Sequence, residues 1–199
     1  MEDGGLVERA RSGDLDAVQS LLERHQAGAY TAALRLLGEP ADAEDVVQDA
    51  LVRAYTRLDG LTDGASFGAW LRRIAVNLSL NLLRRRGLIR FEPLAGTRRS
   101  GDDPGAEPAR DFADERMPTP EQSALDAALR DQLEAIVARL PAEQRVAVVL
   151  RDMYGYDVSE VASLQRCGLS AAKMRISRGR AELKRLALEC GIRAPGGGT

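Results

Sequence analysis

The sequence predicts an all-α protein of two small helical domains joined by a flexible acidic linker, with a helix-turn-helix in the C-terminal domain. Apolar residues recur at the spacing of an amphipathic helix on both sides of residues 93–121, and no run alternates β-branched and polar residues as a strand would. Residues 93–121 are rich in Gly, Pro and acidic side chains and have no apolar period. We therefore expect domains at 1–92 and 122–191, a linker at 93–121 and a disordered tail at 192–199.

The N-terminal domain shows helical periodicity from its first residues onward. Gly38-Glu39-Pro40 should end one long helix, and Asp42 is expected to cap the next. The Gly- and Asp-rich segment 59–64 predicts a loop, after which Ser66 is expected to cap a helix over 67–86. The predicted apolar positions before and after the break are Leu6, Ala10, Leu15, Val18, Leu21, Leu22, Tyr30, Ala33, Leu34, Leu37, Val46, Val47, Ala50, Leu51, Ala54, Tyr55 and Leu58.

The C-terminal domain begins with an amphipathic helix that ends near Leu140. Pro141 suits the first turn of the following helix, and Gly155 is expected to end that helix. The sequence Asp157-Val158-Ser159-Glu160 matches a capping box for a short helix. A break at Arg166-Cys167-Gly168 precedes a longer helix from Ser170 to about Leu188, and this order of elements is typical of a helix-turn-helix.

Charge alternates along the chain although the formal net charge is only −2. Residues 51–100 carry 10 basic and 3 acidic side chains, and residues 151–199 carry 9 and 5. The other two stretches, 1–50 and 101–150, hold 4 and 5 basic against 11 acidic side chains each. Two separate basic surfaces set among acidic segments indicate a polyanionic partner.

The first basic surface is the segment 67–86, FGAWLRRIAVNLSLNLLRRR. It combines a helical apolar repeat with five arginines, the single Trp70, and the amides of Asn77 and Asn81. Amide side chains can hydrogen-bond to base edges, and arginines neutralise phosphates. From this segment alone two interpretations stay open: contact with nucleic acid, or a solvated basic helix end.

The second basic surface is the last predicted helix. Ala172, Ile176, Gly179, Leu183 and Leu186 form a stripe that should pack inward. The first turns are then expected to present outward the side chains that a recognition helix places in the major groove, and backbone N–H groups near Ser170 suit a phosphate. These outward side chains are Lys173, Arg175, Ser177 and Arg178.

Other chemistries are poorly supported. Cys167 and Cys190 form no CxxC pair and His25 is the only histidine, so neither a metal site nor a disulfide framework is predicted. No nucleotide-binding loop and no catalytic constellation is present, and we expect no cofactor and no enzymatic activity. The acidic cluster Asp42, Glu44, Asp45 and Asp49 is a weak cation signal; protein docking or solvation explains it better. No export signal or membrane span is evident, which predicts a cytoplasmic protein without membrane insertion.

Three blocks of the sequence occur in an order and spacing typical of one family. They are DAEDVVQDALVRAYTRL (42–58), FGAWLRRIAVNLSLNLLRRR (67–86) and LPAEQRVAVVLRDMYGYDVSEVA (140–162). On these blocks the chain resembles bacterial RNA polymerase sigma factors of the extracytoplasmic-function (ECF) group. The resemblance implies a subunit that binds core RNA polymerase and directs initiation at promoters with −10 and −35 elements.

The resemblance also implies roles in contacting the −10 element. The loop before the 67–86 helix, with Asp63 and Ser66, would take up a base flipped out of the non-template strand. Asn77 lies at the family's base-contacting position, and further strand contacts are implied for Arg72, Arg73 and Asn81. For Trp70 two roles remain open, core packing and a wedge that separates the strands.

The resemblance further implies that the recognition helix contacts the −35 element. For RNA polymerase it implies two docking sites. The helix of the first block would dock on the clamp helices of the largest subunit through Asp45, Gln48 and Asp49, and the C-terminal domain would bind the β-flap. The acidic linker would run through the active-site and RNA-exit channels. An anti-sigma factor is a further candidate partner. The implied −35 residues are Ser170, Lys173, Met174, Arg175, Ser177 and Arg178.

The helix-turn-helix departs from the family pattern in its turn. Family members usually carry Gly-x-Pro and then Gly-Thr where this chain has Arg166, Gly168, Ser170 and Ala171. Ser170 is expected to supply the missing helix cap, and Met174 in place of a small polar residue predicts an unusual −35 sequence. The main alternative function is an autonomous helix-turn-helix regulator that binds duplex DNA without polymerase; an enzyme is the third.

Overall fold

The computed structural model describes residues 2–61, 63–89 and 123–192, and these residues form eight α-helices and no strand. The all-α fold class is thereby confirmed, with helical regions on both sides of the segment 90–122. The predicted linker at 93–121 and the tail from residue 193 onward lie outside the described residues.

The N-terminal region consists of four helices around one apolar core: α1 (Asp3–Arg11), α2 (Leu15–Leu37), α3 (Pro40–Thr56) and α4 (Phe67–Arg85). The carboxylate of Asp14 caps α2 by accepting hydrogen bonds from the backbone N–H groups of Asp16 and Ala17, each at 3.1 Å. Gly38, at φ +73°, ends α2 in the left-handed conformation that glycine favours. Helix α4 packs against both α2 and α3, so it lies at the centre of this region.

Two helix caps expected in this region were wrong. Pro40 occupies the first turn of α3, so the helix begins before Asp42 and has Glu39 at its N-cap position without a side-chain cap. Asp42 instead accepts two hydrogen bonds from the guanidinium of Arg86, one at 2.8 Å, which lowers the pKa of its carboxyl group. Ser66 precedes α4, but its hydroxyl donates to the carbonyl oxygen of Asp63 at 2.7 Å and does not cap the helix.

The C-terminal region contains α5 (Ser123–Ala138), α6 (Ala142–Val148), α7 (Val158–Leu164) and α8 (Leu169–Glu189). A π-helical turn, Val149–Met153, extends α6. The capping box before α7 is confirmed: Asp157 accepts from the backbone N–H of Glu160 at 2.9 Å, and the Glu160 carboxylate accepts from that of Asp157 at 2.7 Å.

The turn between α7 and α8 has an unusual backbone. Arg166 has φ +50° and is the only non-glycine residue with a positive φ among the described residues. The buried Cys167 follows it and donates its backbone N–H to the carbonyl oxygen of Ala162 at 2.9 Å. The expectation that Ser170 caps α8 was wrong, because α8 begins at Leu169, with Gly168 at the N-cap position, and Ser170 is its second residue.

Side chains of the C-terminal region hold the end of α2. The buried guanidinium of Arg145 donates to the carbonyl oxygens of Leu36 at 2.9 Å and Leu37 at 2.7 Å, and also to that of Ala138 at 2.8 Å. The carbonyls of Leu36 and Leu37 lie at the negative end of the α2 dipole, where a cation is stabilised, although burial lowers the pKa of Arg145. Nearby, Arg35 pairs with Glu134 at 2.7 Å. The two helical regions therefore pack against each other.

Candidate nucleic-acid interface

One side of helix α4 carries a narrow, partly exposed stripe. Positions three and four residues apart lie on one side of a helix, and five such residues are partly exposed, whereas most of the rest of the helix is buried. The predicted base contacts Asn77 and Asn81 lie on this stripe, between arginines that can hold phosphates. The ring of Trp70 lies 5.9 Å from that of Phe67 and remains partly exposed. The α4 stripe consists of Trp70, Arg73, Asn77, Asn81 and Arg84.

The other residues predicted for the −10 element lie apart from this stripe. Arg72 is about 140° away from Asn77 around the helix axis, and its side chain crosses α2 at Gly28, where a Cβ atom added to the glycine would be 3.6 Å from Nη1 of Arg72. Asp63 is exposed and Ser66 is partly exposed in the turn that leads into α4. The structure thus brings Arg73, Asn77 and Asn81 together, and positions Asp63 and Ser66 at the N-terminal end of the same helix.

Helix α8 presents a broad face. Spacings of three and four residues bring five of the predicted −35 residues to one side of the helix, and all five are exposed. Met174 is 49% exposed, which is unusual for a side chain of its size and hydrophobicity. The opposite side of α8 carries the predicted inward stripe, in which Leu183 is partly exposed and the other four residues are buried. The α8 face consists of Ser170, Lys173, Met174, Ser177 and Arg178.

The predicted outward position of Arg175 was wrong. Only 9% of the residue is exposed, because its guanidinium is bonded inside the helix-turn-helix. It donates to the side-chain oxygen of Gln165 at 3.1 Å and pairs with Glu143 at 3.2 Å. The buried Gln165 in turn donates to the carbonyl oxygen of Glu143 at 2.8 Å. Arg175 therefore ties α8 to α6 and to the end of α7, a structural role.

Helix α3 carries the third surface. Asp45, Gln48 and Asp49 are exposed on one side of the helix, as a docking role requires. The same side also exposes Val52 and Tyr55, which are 63% and 54% exposed. Tyr55 was predicted only as an apolar position of the helix and Val52 was not selected, although their spacing from Asp45 and Gln48 would have grouped them. We call these five residues the α3 face.

The described residues show no competing chemistry. They contain no group of three or more His, Cys, Asp or Glu side chains that could hold a metal ion, and none of their helices is long and apolar enough to span a membrane. Cys167 and Cys190 are both free thiols. His25 has a structural environment, since its Nε2 lies 2.7 Å from the Asp3 carboxylate and its ring centroid 5.6 Å from that of Phe67.

Two helical regions, one with an amide-and-arginine stripe and the other with a helix-turn-helix, are the arrangement of a bipartite DNA-binding protein. Family models match both regions: residues 21–89 match Sigma-70 region 2, and residues 130–183 match Sigma-70, region 4. The chain belongs to the ECF sigma factors, which direct RNA polymerase in transcription initiation.

Two relatives and one solved structure illustrate the similarity. The ECF RNA polymerase sigma-E factor of Escherichia coli strain K12 is 32% identical over 184 residues, which cover 90% of this chain and 91% of the relative. ECF RNA polymerase sigma factor SigE of Mycolicibacterium smegmatis is 36% identical over 176 residues, but the match spans only 63% of that protein and 87% of this chain. The structure of CnrH in complex with the cytosolic domain of CnrY matches with a TM-score of 0.50 and 26% identity, covering 94% of this chain and 97% of CnrH.

Proposed function

We propose that this protein is a non-enzymatic, dissociable initiation subunit that acts in the cytoplasm and recognises promoters through the α4 stripe and the α8 face. The observation that carries the proposal is the grouping of Arg73, Asn77 and Asn81 on one partly exposed stripe of α4, inside the region-2 match. An autonomous regulator that used only the helix-turn-helix would not need this stripe. The two matched regions favour the initiation factor.

On the α4 stripe, Asn77 is the proposed base-contacting residue of the −10 element. Its amide can both donate and accept, which suits a base edge once the strand is open. Arg73 and Asn81, one turn away on either side, would hold the strand backbone and a neighbouring base. Asp63 and Ser66 would border the site of the flipped base, and Trp70 lies where an aromatic ring could stack on an unpaired base. Because the side chain of Arg72 crosses α2, we assign it no contact beyond the DNA backbone.

On the α8 face, Lys173, Ser177 and Arg178 are the proposed −35 contacts. Lysine and arginine donate to guanine O6 and N7, and each good contact is worth about 1–3 kcal/mol of discrimination. The methyl group and sulfur of Met174 suit an apolar contact with a thymine methyl group. Ser170 lies in the first turn of α8, where backbone N–H groups can bind a phosphate. Arg175 is left out of this set because it is buried.

For polymerase, we propose that the α3 face docks on the clamp helices of the largest subunit and that the C-terminal region binds the β-flap. Exposed carboxylates surrounded by exposed apolar side chains are typical of a protein interface with a basic partner. CnrH forms a complex with the cytosolic domain of another protein, CnrY, and we propose a protein partner for this chain as well, namely the anti-sigma factor that the sequence resemblance implies.

The test is transcription by the full-length protein with core polymerase on fragments of the host genome, followed by mapping of the RNA 5′ ends. We expect discrete start sites preceded by one shared pair of −10 and −35 sequences. Starts that are no more selective than those of core polymerase alone would refute the proposal. Tight, specific duplex binding by the protein without polymerase, measured by gel shift, would instead support the autonomous regulator.

Single substitutions then test the two surfaces. We expect Asn77→Ala to change the preference at the −10 element, and Lys173→Ala and Arg178→Ala to weaken −35-dependent initiation and to reduce its salt dependence. All three variants should retain wild-type affinity for core polymerase. Loss of core binding by both α8 variants would show that the α8 face docks on polymerase and not on DNA.

A further inference from the structure

Helix α1 supports the turn that leads into α4. One side of α1 carries Gly4, Val7 and Arg11, which are three and four residues apart. A Cβ atom added to Gly64 would lie 3.0 Å from Cα of Gly4 and 3.1 Å from Cβ of Val7, so the turn Gly64–Ser66 rests directly on α1. Val7 is fully buried beneath it. The backbone on one side of the exposed Asp63 is therefore fixed by close packing on α1.

Arg11 holds the backbone at Leu58 and Leu61, which precede Asp63 in the chain. Its Nη2 donates to the carbonyl oxygen of Leu61, and it lies 3.4 Å from that of Leu58. Glu8 orients the guanidinium through a 2.8 Å bond to Nη1. Leu58 begins the 3₁₀ turn Leu58–Gly60, and its carbonyl oxygen also accepts the backbone N–H of Leu61 at 3.2 Å; Leu61 is the residue that follows this turn. A charged donor to such carbonyls is among the stronger hydrogen bonds in proteins.

Side-chain contacts also join helix α1 to α2. The Asp3 carboxylate accepts from Arg24 at 2.5 Å and lies 2.7 Å from Nε2 of His25, both on α2. The His25 ring packs against Phe67 and against Gly68, the first two residues of α4. Helix α1 thus connects the turns around Asp63 to the same part of α2 that supports the start of α4.

We propose that Arg11 is a positioning residue for capture of the −10 strand: it holds the carbonyls of Leu58 and Leu61 so that the turns flanking Asp63 keep the shape that accepts an unpaired base. This inference rests on the proposed function of the turn and of the α4 stripe. Arg11 does not contact DNA in this scheme; it acts through the backbone of the turn. Preorganisation of this kind raises affinity because the ordering cost is met before the strand binds.

The test compares Arg11→Met, which keeps the length of the side chain but removes its donors, with Arg11→Lys, which keeps one charged donor. Arg9→Met is the matched control, since Arg9 is an exposed residue of the same helix that pairs with Asp14. Each full-length variant is assembled with core polymerase on a promoter from the start-site mapping. The template carries a single-stranded −10 region in which 2-aminopurine replaces one adenine. The fluorescence of the 2-aminopurine reports the unstacking of that base.

We expect Arg11→Met to lower discrimination between the matched and a substituted −10 sequence by about tenfold, the effect of one charged hydrogen bond, and to reduce the 2-aminopurine signal. Arg11→Lys should restore part of the −10 discrimination and part of the 2-aminopurine signal, and Arg9→Met should match the wild type in both measurements. Core-polymerase affinity and the −35 preference should be unchanged in all three variants.

Two outcomes would overturn the inference. One is wild-type −10 discrimination in Arg11→Met. The other is loss of core binding in both Arg11 variants, because Arg11 would then be needed for the domain as a whole and not for the turn. A failure of the proposed function looks different from either, since the wild-type protein itself would then show no −10 preference.

Discussion

The two helices α4 and α8 are both basic and amphipathic but occupy different places in the fold. Eleven of the 19 residues of α4 are buried, against five of the 21 residues of α8. Helix α4 is a largely buried helix whose partly exposed residues lie mostly in a narrow stripe, whereas α8 lies at the surface and exposes a broad face. The proposed recognition by α4 would therefore use side chains held by a core, and the proposed recognition by α8 would use a wider arc of the helix surface.

This difference shows that positive charge alone does not identify a DNA-facing residue. Arg175 and Arg178 are three residues apart on α8, yet Arg175 is buried against α6 and α7 and Arg178 is exposed. On α4, Arg73 lies on the exposed stripe and Arg72 crosses α2. The position of an arginine relative to the apolar stripe of its own helix, together with the partners that neighbouring elements supply, decides which role it has.

The largest effect expected from this comparison is for Arg175→Met. The substitution leaves the partly buried Glu143 and the buried Gln165 without their charged partner, and breaking such a pair is costly. We expect the free energy of unfolding of the C-terminal region to fall by about 2–3 kcal/mol, below the upper end for fully buried pairs, since Glu143 is 30% exposed. Urea unfolding followed by circular dichroism measures the change.

Arg178→Met is the matched control, because Arg178 is exposed on the same helix and its loss should change stability by less than about 0.5 kcal/mol. We expect it to weaken −35-dependent initiation instead. If Arg175→Met kept wild-type stability and lost only −35 affinity, Arg175 would be a DNA contact and its structural assignment would be wrong.

The next effect concerns the glycines that let each basic helix approach its neighbour. A Cβ atom on Gly179 of α8 would lie 2.6 Å from Cγ2 of Val148 and 3.0 Å from the backbone oxygen of Gln144. On Gly68 of α4 it would lie 2.5 Å from Nδ1 of His25, a side chain that can move. We expect Gly179→Ala to cost about 2 kcal/mol and Gly68→Ala about 1 kcal/mol, by the same unfolding measurement.

The order of these two costs is the informative result. Backbone atoms of α6 cannot move away without shifting the helix, whereas the His25 ring can rotate at the expense of its bond to Asp3. A larger loss for Gly68→Ala would mean that the His25–Asp3 pair is more rigid than the packing of α8 on α6. Helix α4 would then be the more tightly held of the two.

Periodicity predicted the helices and the inward stripe of α8 because both depend on spacing along one helix. The failures named here occurred where a side chain had a different partner, either on another element or in the adjacent turn. Arg175 lies at the edge of the apolar stripe, and only the positions of Gln165 and Glu143 in space turn it inward. Asp42 and Ser66 are residues that cap helices, but Arg86 and the carbonyl of Asp63 bind them instead. Nothing in the spacing indicated that Arg145 would cap α2.

A smaller effect is expected at the turn that precedes α8. The described residues of the turn before α4 include no non-glycine residue with a positive φ. Arg166 is held at φ +50°, a left-handed conformation that costs a non-glycine residue about 1–2 kcal/mol. Arg166→Gly removes this strain but adds entropy to the unfolded chain. We therefore expect a net gain in the free energy of unfolding of about 0.5–1 kcal/mol, measured by urea titration. Arg166→Ala, which keeps the strain, should give no such gain; equal stability of the Gly and Ala variants would show that the turn is not strained.

The smallest effect is expected at the surface pair that joins the end of α4 to the start of α3. Hydrogen bonds from Arg86 hold the pKa of the Asp42 carboxyl below its ordinary value of 3.8. A lowered folded-state pKa means that the pair stabilises the protein above the ordinary pKa and that this contribution is lost as pH falls through the folded-state value. We expect Asp42→Asn to lower the Tm by about 1 °C at pH 7, since exposed pairs contribute little.

The pH dependence separates this pair from a general charge effect. The Tm difference between the wild type and Asp42→Asn should disappear as the pH is lowered below 3.8, where Asp42 becomes protonated in the wild type as well. Asp49→Asn removes the same charge from the exposed α3 face. If it changed the Tm in the same way, net charge and not the bond to Arg86 would be responsible. A difference for Asp42→Asn alone would show that α4, already enclosed on most of its sides, is also fixed to α3 at its C-terminal end.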